Sequence, residues 1–155
     1  MIAYLRQMEA STEISRVTRS AAETRAFAAE AVAAFGRSAR YALEGDLGAG
    51  KTCFVQGLCE ALGIRAAAAS PTFAIANEYR DPGSSLRLVH LDLYRLRGPQ
   101  DLESIGWDDY VDSGDPMAVE WPDRAGRFLP PSFVRVRFSL GPGPDDRSIV
   151  AGRRG

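Results

Sequence analysis

The chain has 155 residues, with 19 basic and 20 acidic side chains, a net charge of −1 and an apolar fraction of 45%. These values fit a single globular domain with a buried core and give no whole-molecule attraction to nucleic acid or an anionic membrane. No apolar run approaches the roughly 18 residues of a membrane helix, and the opening MIAYLRQMEASTEIS lacks the continuous apolar core of a signal peptide, so a cytoplasmic protein is expected.

Residues 1–14 read as a polar leader and 15–155 as the domain. Ser20-Ala-Ala-Glu23 has the spacing of a capping box. It opens an alanine-rich helix that runs to Phe35 and is closed by Gly36. The run 40-RYALEG-45 reads as a short buried strand. Helical spacing of Phe54, Val55, Leu58 and Leu62 predicts a second helix from Lys51, ended by Gly63. Both cysteines, Cys53 and Cys59, fall on that helix, too poorly aligned to bridge. With one histidine in the chain, they have no partners for a zinc site. A strand over 72-TFAIANEYR-80 leads into a turn at 81-DPGSS-85. In 86-LRLVHLDLYRL-96, alternation puts Val89, Leu91 and Leu93 on one face and His90, Asp92 and Tyr94 on the other. The segment 100–113 predicts a helix, and 116-PMAVEW-121 a short apolar strand ending in an acid. Two further strands, 133–140 and 147–152, flank a turn at 141–146. Trp121 precedes Pro122, which biases the tryptophan toward extended backbone.

Gly45, Gly50, Lys51 and Thr52 match G-x-x-x-x-G-K-[ST] in full. Strand, glycine-rich turn and helix follow in the order a phosphate loop requires. Lys51 is the only lysine, the other 18 of the 19 basic residues being arginine. Glycines let the amides of Asp46, Leu47, Gly48, Ala49 and Gly50 curl onto phosphate oxygens, and the helix adds its positive end. A compact ammonium reaches the outer phosphates where a planar guanidinium would not fit in the same way. The Thr52 hydroxyl can ligate Mg²⁺. A glycine turn that only resembles this motif is the competing reading, and the flanking strand and helix count against it. The fold class is therefore α/β, a P-loop NTPase-like mixed sheet of six or seven strands flanked by helices.

Such loops are completed by an acid at the carboxyl end of a neighbouring strand. Two candidates stand here: Glu120 as metal ligand, and Asp92 as the group that holds a metal-bound water or orients the attacking water. His90, the only histidine, reads as hydrogen-bonded beside the sheet in preference to catalytic. Trp121 reads as core or as a lid over the nucleotide.

The stretches 45-GDLGAGKT-52, 70-SPTF-73, 90-HLDLYR-95 and 120-EWP-122, in this order and spacing, resemble the TsaE family, over about Ser20 to Ile149. The resemblance implies binding of ATP or ADP with Mg²⁺ and slow hydrolysis. That hydrolysis would reset the TsaB–TsaD complex, which transfers threonylcarbamoyl to adenosine 37 of tRNA. By position it gives Lys51 and Thr52 the phosphate and metal roles and makes Glu120 the second protein ligand of the metal. Asp92 becomes an acid needed for hydrolysis, and Trp121 a residue at the active-site edge. Ser70 and Thr72 fall in a switch-like loop near the γ-phosphate, and Ser20 where the family approaches the adenine. Cys53 stands where threonine is common after GKT, a departure that bears on any side-chain contact with the α-phosphate.

No glutamine lies in the segments placed near the γ-phosphate. No arginine is an evident finger, although Arg80, Arg95 and Arg124 are available. Such a site binds well and hydrolyses poorly without a partner. Direct tRNA binding is expected to be weak, because the sequence has no Arg/aromatic RNA platform. Two other readings use the same loop. One is a small-molecule kinase with 122-PDRAGRFLPP-131 as a short lid, and the other is a non-catalytic module gated by nucleotide.

Overall fold

The computed structural model describes residues 12–46, 48, 50–65 and 75–153. The expectations for Leu47, Ala49, Ser70 and Thr72, and for the start of the strand at 72–80, lie outside the described residues. Seven strands form one mixed sheet in the order β1-β7-β6-β2-β5-β4-β3. They are β1 (Glu13–Thr18), β2 (Arg40–Glu44), β3 (Ala76–Tyr79), β4 (Leu88–Asp92), β5 (Met117–Glu120), β6 (Val134–Leu140) and β7 (Arg147–Gly152). The central strands β6, β2, β5 and β4 are parallel, and β1, β7 and β3 join antiparallel. Parallel strands are covered on both faces, so they read as continuous apolar runs without polar alternation. That is why 117-MAV-119 and 41-YAL-43 are wholly buried.

Helices α1 (Ala21–Phe35) and α2 (Lys51–Leu62) cover one face, where Phe27, Phe54 and Leu58 pack with Tyr41, Leu43 and Val136. The opposite face buries Ala42, Val89, Leu91 and Val119 under Leu102, Trp107 and Ala125. Alternate residues of each central strand thus feed two separate cores. The Ser20 hydroxyl caps α1, accepting from Glu23 N at 3.1 Å, and the Glu23 carboxylate returns to Arg19 N at 2.5 Å. The Ser20 half of the capping box is formed as its spacing predicts, and the returning Glu23 carboxylate takes the N–H one residue before the cap.

Three segments differ from the sequence reading. β1 begins at Glu13 inside the polar leader; its exposed EISRVT pattern carries little apolar signal, and pairing with β7 makes it a strand. The expected helix at 100–113 is broken into 3₁₀ turns at Pro99–Asp101 and Glu103–Ile105, and a short α3, Trp107–Asp112. Gly106, left-handed at φ 74°, interrupts the run. β4 ends at Asp92, where the Asp92 carboxylate accepts from Tyr94 N at 3.0 Å and turns the chain; Leu93 N still donates to Glu120 O at 3.1 Å, and the chain turns away at Tyr94.

α1 and α2 meet at Gly57, where a Cβ would stand 2.5 Å from Arg25 O and 2.7 Å from Ala28 Cβ. Gly57→Ala must therefore push the helices apart, at a cost of about 1–3 kcal/mol. Thermal unfolding is expected to show a midpoint lowered by about 3–10 °C.

Candidate functional site

The site lies where β2, β4 and β5 present their carboxyl ends to the start of α2, the usual position for ligands of open α/β sheets. Between β2 and α2 the chain turns with Gly45, Gly48 and Gly50 all at positive φ. Gly50, the residue before Lys51, is left-handed at φ 100°. A Cβ there would meet Thr24 Cγ2 at 3.7 Å, an ordinary contact. Backbone conformation, not space, is what calls for glycine here. α2 therefore starts from a residue with no side chain to cap its amides, in contrast to α1.

Lys51 is only 5% exposed. Its ammonium donates to Gly45 O at 2.7 Å, stands 3.7 Å from Glu120 Oε1 and lies 5.0 Å above the Trp121 ring. A buried cation is tolerable only with such compensation, and here a carbonyl, a carboxylate and a π-face supply it. Thr52 follows in the first turn of α2, partly buried. Glu120, also 5% exposed, closes β5. Its second oxygen, Oε2, accepts from His90 Nε2 at 2.8 Å. His90 is fully buried and holds Tyr79 OH at 3.1 Å through Nδ1. It is hydrogen-bonded, as the sequence reading has it, and its partner is one of the two candidate acids.

Asp92 sits beside Glu120, the two being register partners on β4 and β5. Partial burial pushes the Asp92 carboxyl above the ordinary carboxylate range. The Tyr94 N–H opposes that rise, Glu120 adds to it, and His90 and Lys51 lower it. An acid of this kind holds or accepts a proton more readily than a free aspartate.

Trp121 corrects the sequence reading. It is left-handed, at φ 56° and ψ 52°, not extended. It is the only non-glycine residue at positive φ among those described. The chain must reverse there, from β5 into the 3₁₀ helix Pro122–Phe128, and the reversal lays the ring against Lys51 and 5.0 Å from Tyr94. The conformation costs about 1–3 kcal/mol, and strain of this kind concentrates at functional sites.

A cavity of about 360 Å³ adjoins the loop, within the range of small-molecule sites. Ser20, Gly48, Gly50 and Cys53, all nominated from the sequence, line it. Asp46 is exposed in the loop beside them. The cavity also takes in Asp145 and Arg147, which no local sequence pattern singles out. Arg147 donates to Gly48 O at 3.1 and 3.3 Å from 99 residues away, a contact that only the pairing of β7 onto β6 brings about. Arg124, a candidate finger, is committed to Leu96 O at 3.2 Å. Both cysteines are free. Cys59 is a core residue whose thiol is pushed up to about 11, first by burial and then by Asp81 and Glu60, so it is unreactive.

Among the described residues no group of three or more His, Cys, Asp or Glu forms a ready-made metal cage, and no helix is long and apolar enough to cross a membrane. The Glu120 carboxylate at the end of β5 and the Thr52 hydroxyl in the first turn of α2 are donors of the kind that suit Mg²⁺, which keeps most of its ligands from water and substrate phosphate.

The family model described as threonylcarbamoyl adenosine biosynthesis protein TsaE matches residues 18–149. The tRNA threonylcarbamoyladenosine biosynthesis protein TsaE of Bacillus subtilis (strain 168) is 40% identical over 108 residues, covering 70% of this chain and 65% of that protein. The protein of the same name from Synechocystis sp. is 50% identical over 86 residues, 53% of each chain. The matched stretch thus spans between about half and two-thirds of these relatives' length. The crystal structure of Bacillus subtilis YdiB superposes with a TM-score of 0.66 at 29% identity, covering 93% of this chain and 87% of that one. The family match starts at the last residue of β1 and ends within β7, so it takes in the loop, both acids and the whole central sheet: the chain belongs to the TsaE family.

Proposed function

We propose that the protein is a magnesium-dependent ATPase, slow on its own, which supports threonylcarbamoyladenosine modification of tRNA adenosine 37 by acting on the TsaB–TsaD complex. The observation that carries the reading is the buried Lys51 ammonium, held by a loop carbonyl and a strand-end carboxylate at the open edge of the sheet. Each of those partners is replaceable by phosphate oxygens. The names of the relatives support the link to tRNA modification.

In this reading the loop amides and the start of α2 bind the phosphates, and Lys51 turns from Gly45 O onto the outer ones. Thr52 and Glu120 would hold Mg²⁺, which would supply positive charge to offset that developing during transfer. Asp92 holds the attacking water and takes its proton, a role that suits its raised carboxyl. Trp121 shields the Lys51 side from solvent. Ser20 and the cavity beside Gly50 receive the nucleoside. Hydrolysis stays slow because Arg124, four residues after Glu120, is tied to Leu96 O, leaving TsaB–TsaD to complete the site. tRNA is engaged only weakly or indirectly. The kinase alternative would use 122–131 as a lid, yet Ala125 and Leu129 are buried in the second core, which makes that segment part of the wall.

Calorimetry is expected to show MgADP binding that Lys51→Ala weakens at least about tenfold, as loss of a charge-assisted phosphate contact requires. Absence of heat from the unaltered, folded protein sinks the reading.

Asp92→Asn separates chemistry from stability. The variant should bind MgADP and yet show no ATPase acceleration when TsaB–TsaD is added; retained acceleration would move the catalytic role elsewhere. Because the folded-state pKa of Asp92 is raised, its ionised form disfavours the fold. That penalty is absent below the unfolded pKa and present once the pH exceeds the folded one. Asparagine keeps the acceptor for Tyr94 N. The nucleotide-free variant should therefore melt about 1–3 °C higher than the parent at pH 8, with the gain vanishing near pH 4.

A further inference from the structure

We infer that His90 is a positioning residue for Glu120: locked by Tyr79, its imidazole fixes how the Glu120 carboxylate faces the loop and so sets how tightly nucleotide recruits Mg²⁺. This rests on reading the site as a nucleotide site.

Two distances separate the influences on Glu120. His90 Nε2 is 2.8 Å from Oε2, a full hydrogen bond, whereas Lys51 Nζ is 3.7 Å from Oε1, an ion pair without hydrogen-bond geometry. The directional restraint on the carboxylate therefore comes from the imidazole. It also outlasts ligand binding, since Lys51 is the partner that turns toward phosphate.

The proton arrangement follows from the chemistry of the partners. An ionised carboxylate only accepts, so Nε2 donates. Asn77 Nδ2 donates to Tyr79 OH at 3.3 Å, which leaves the tyrosine proton for His90 Nδ1 at 3.1 Å. The result is a chain from β3 through β4 to β5: Asn77 to Tyr79, Tyr79 to His90, His90 to Glu120. Tyr79 is 6% exposed and His90 fully buried. Both imidazole nitrogens are satisfied, so the ring has one orientation available. A buried imidazole used only for packing would be replaceable by an apolar side chain at no loss. Here it restrains the carboxylate that pairs with Lys51, the arrangement in which an outer hydrogen bond tunes metal affinity by about 10–100-fold.

The test compares the full-length protein with His90→Gln, His90→Asn and Tyr79→Phe, titrating ADP by calorimetry across a Mg²⁺ series and in EDTA. Glutamine can place its amide nitrogen near the Nε2 position, and asparagine cannot reach it. His90→Asn is expected to raise the Mg²⁺ concentration for half-maximal tightening about tenfold, with metal-free ADP affinity within about twofold of the parent. His90→Gln should restore the Mg²⁺ response to within about threefold. An unchanged Mg²⁺ response in His90→Asn overturns the inference. So does an equal loss in Asn and Gln variants, or a parallel fall with and without metal, each of which marks packing alone. If His90→Asn does not fold, Tyr79→Phe decides: a Mg²⁺ requirement raised about threefold supports the chain, and none refutes it. Failure of the parent protein to bind ADP in any buffer removes the nucleotide site itself. Mg²⁺-tightened binding in the parent with an unaffected His90→Asn removes only the role of His90.

Discussion

A lysine ammonium withdrawn from water is the constraint on which the rest of the site depends. Lys51 is nearly fully buried, and burying an unpaired cation would cost several kcal/mol. Its partners come from two separated parts of the chain: the loop carbonyl of Gly45, and, at the end of β5, the Glu120 carboxylate with the adjoining Trp121 ring. Only a sheet in which β2 and β5 are parallel neighbours brings them to one point. The topology and the charge thus require each other. A register slip of one residue between these strands would turn Glu120 to the opposite face and leave the ammonium alone.

The acids divide the work through their surroundings. Glu120 and Asp92 are aligned across β5 and β4, yet one is engaged by Lys51 and His90 while the other is partly open to solvent and reluctant to ionise. Two like charges on adjacent strands oppose each other. Glu120 has the Lys51 ammonium and the His90 N–H for partners, whereas Asp92 has the Tyr94 N–H. In the proposed function, that division suits one acid to a metal and the other to a proton.

Much of this was legible in the sequence because the signals are local. The capping box at Ser20, the glycine pattern from Gly45 to Gly50, the helix from Lys51 to Leu62 and the apolar run before Glu120 each follow from residues within a few positions of one another. Six of the seven strands of the mixed sheet likewise follow from such runs. What stayed hidden depends on distant pairing. β1 is a strand only because β7 lies beside it, and Arg147 reaches Gly48 across 99 residues. Trp121 was misread for a related reason. The proline after it argues for extended backbone, whereas cation–π contact with Lys51 and the reversal after β5 select the left-handed state. His90 was recognised as hydrogen-bonded, but no local pattern names Glu120 as the partner.

Two carbonyls of the loop are each held by a cation, and this bears on how ligand binding is felt. On one side Gly45 O accepts from Lys51; on the other Gly48 O accepts from Arg147, whose guanidinium also bonds Pro144 O and Asp146 O in the β6–β7 turn. If Lys51 turns to phosphate, as proposed, the first of these restraints is released and the second persists. Trp121 then loses its cation and with it part of the compensation for its strained backbone. Movement is therefore expected at the Trp121 reversal and the 3₁₀ helix behind it, with the sheet and the α2 start remaining fixed.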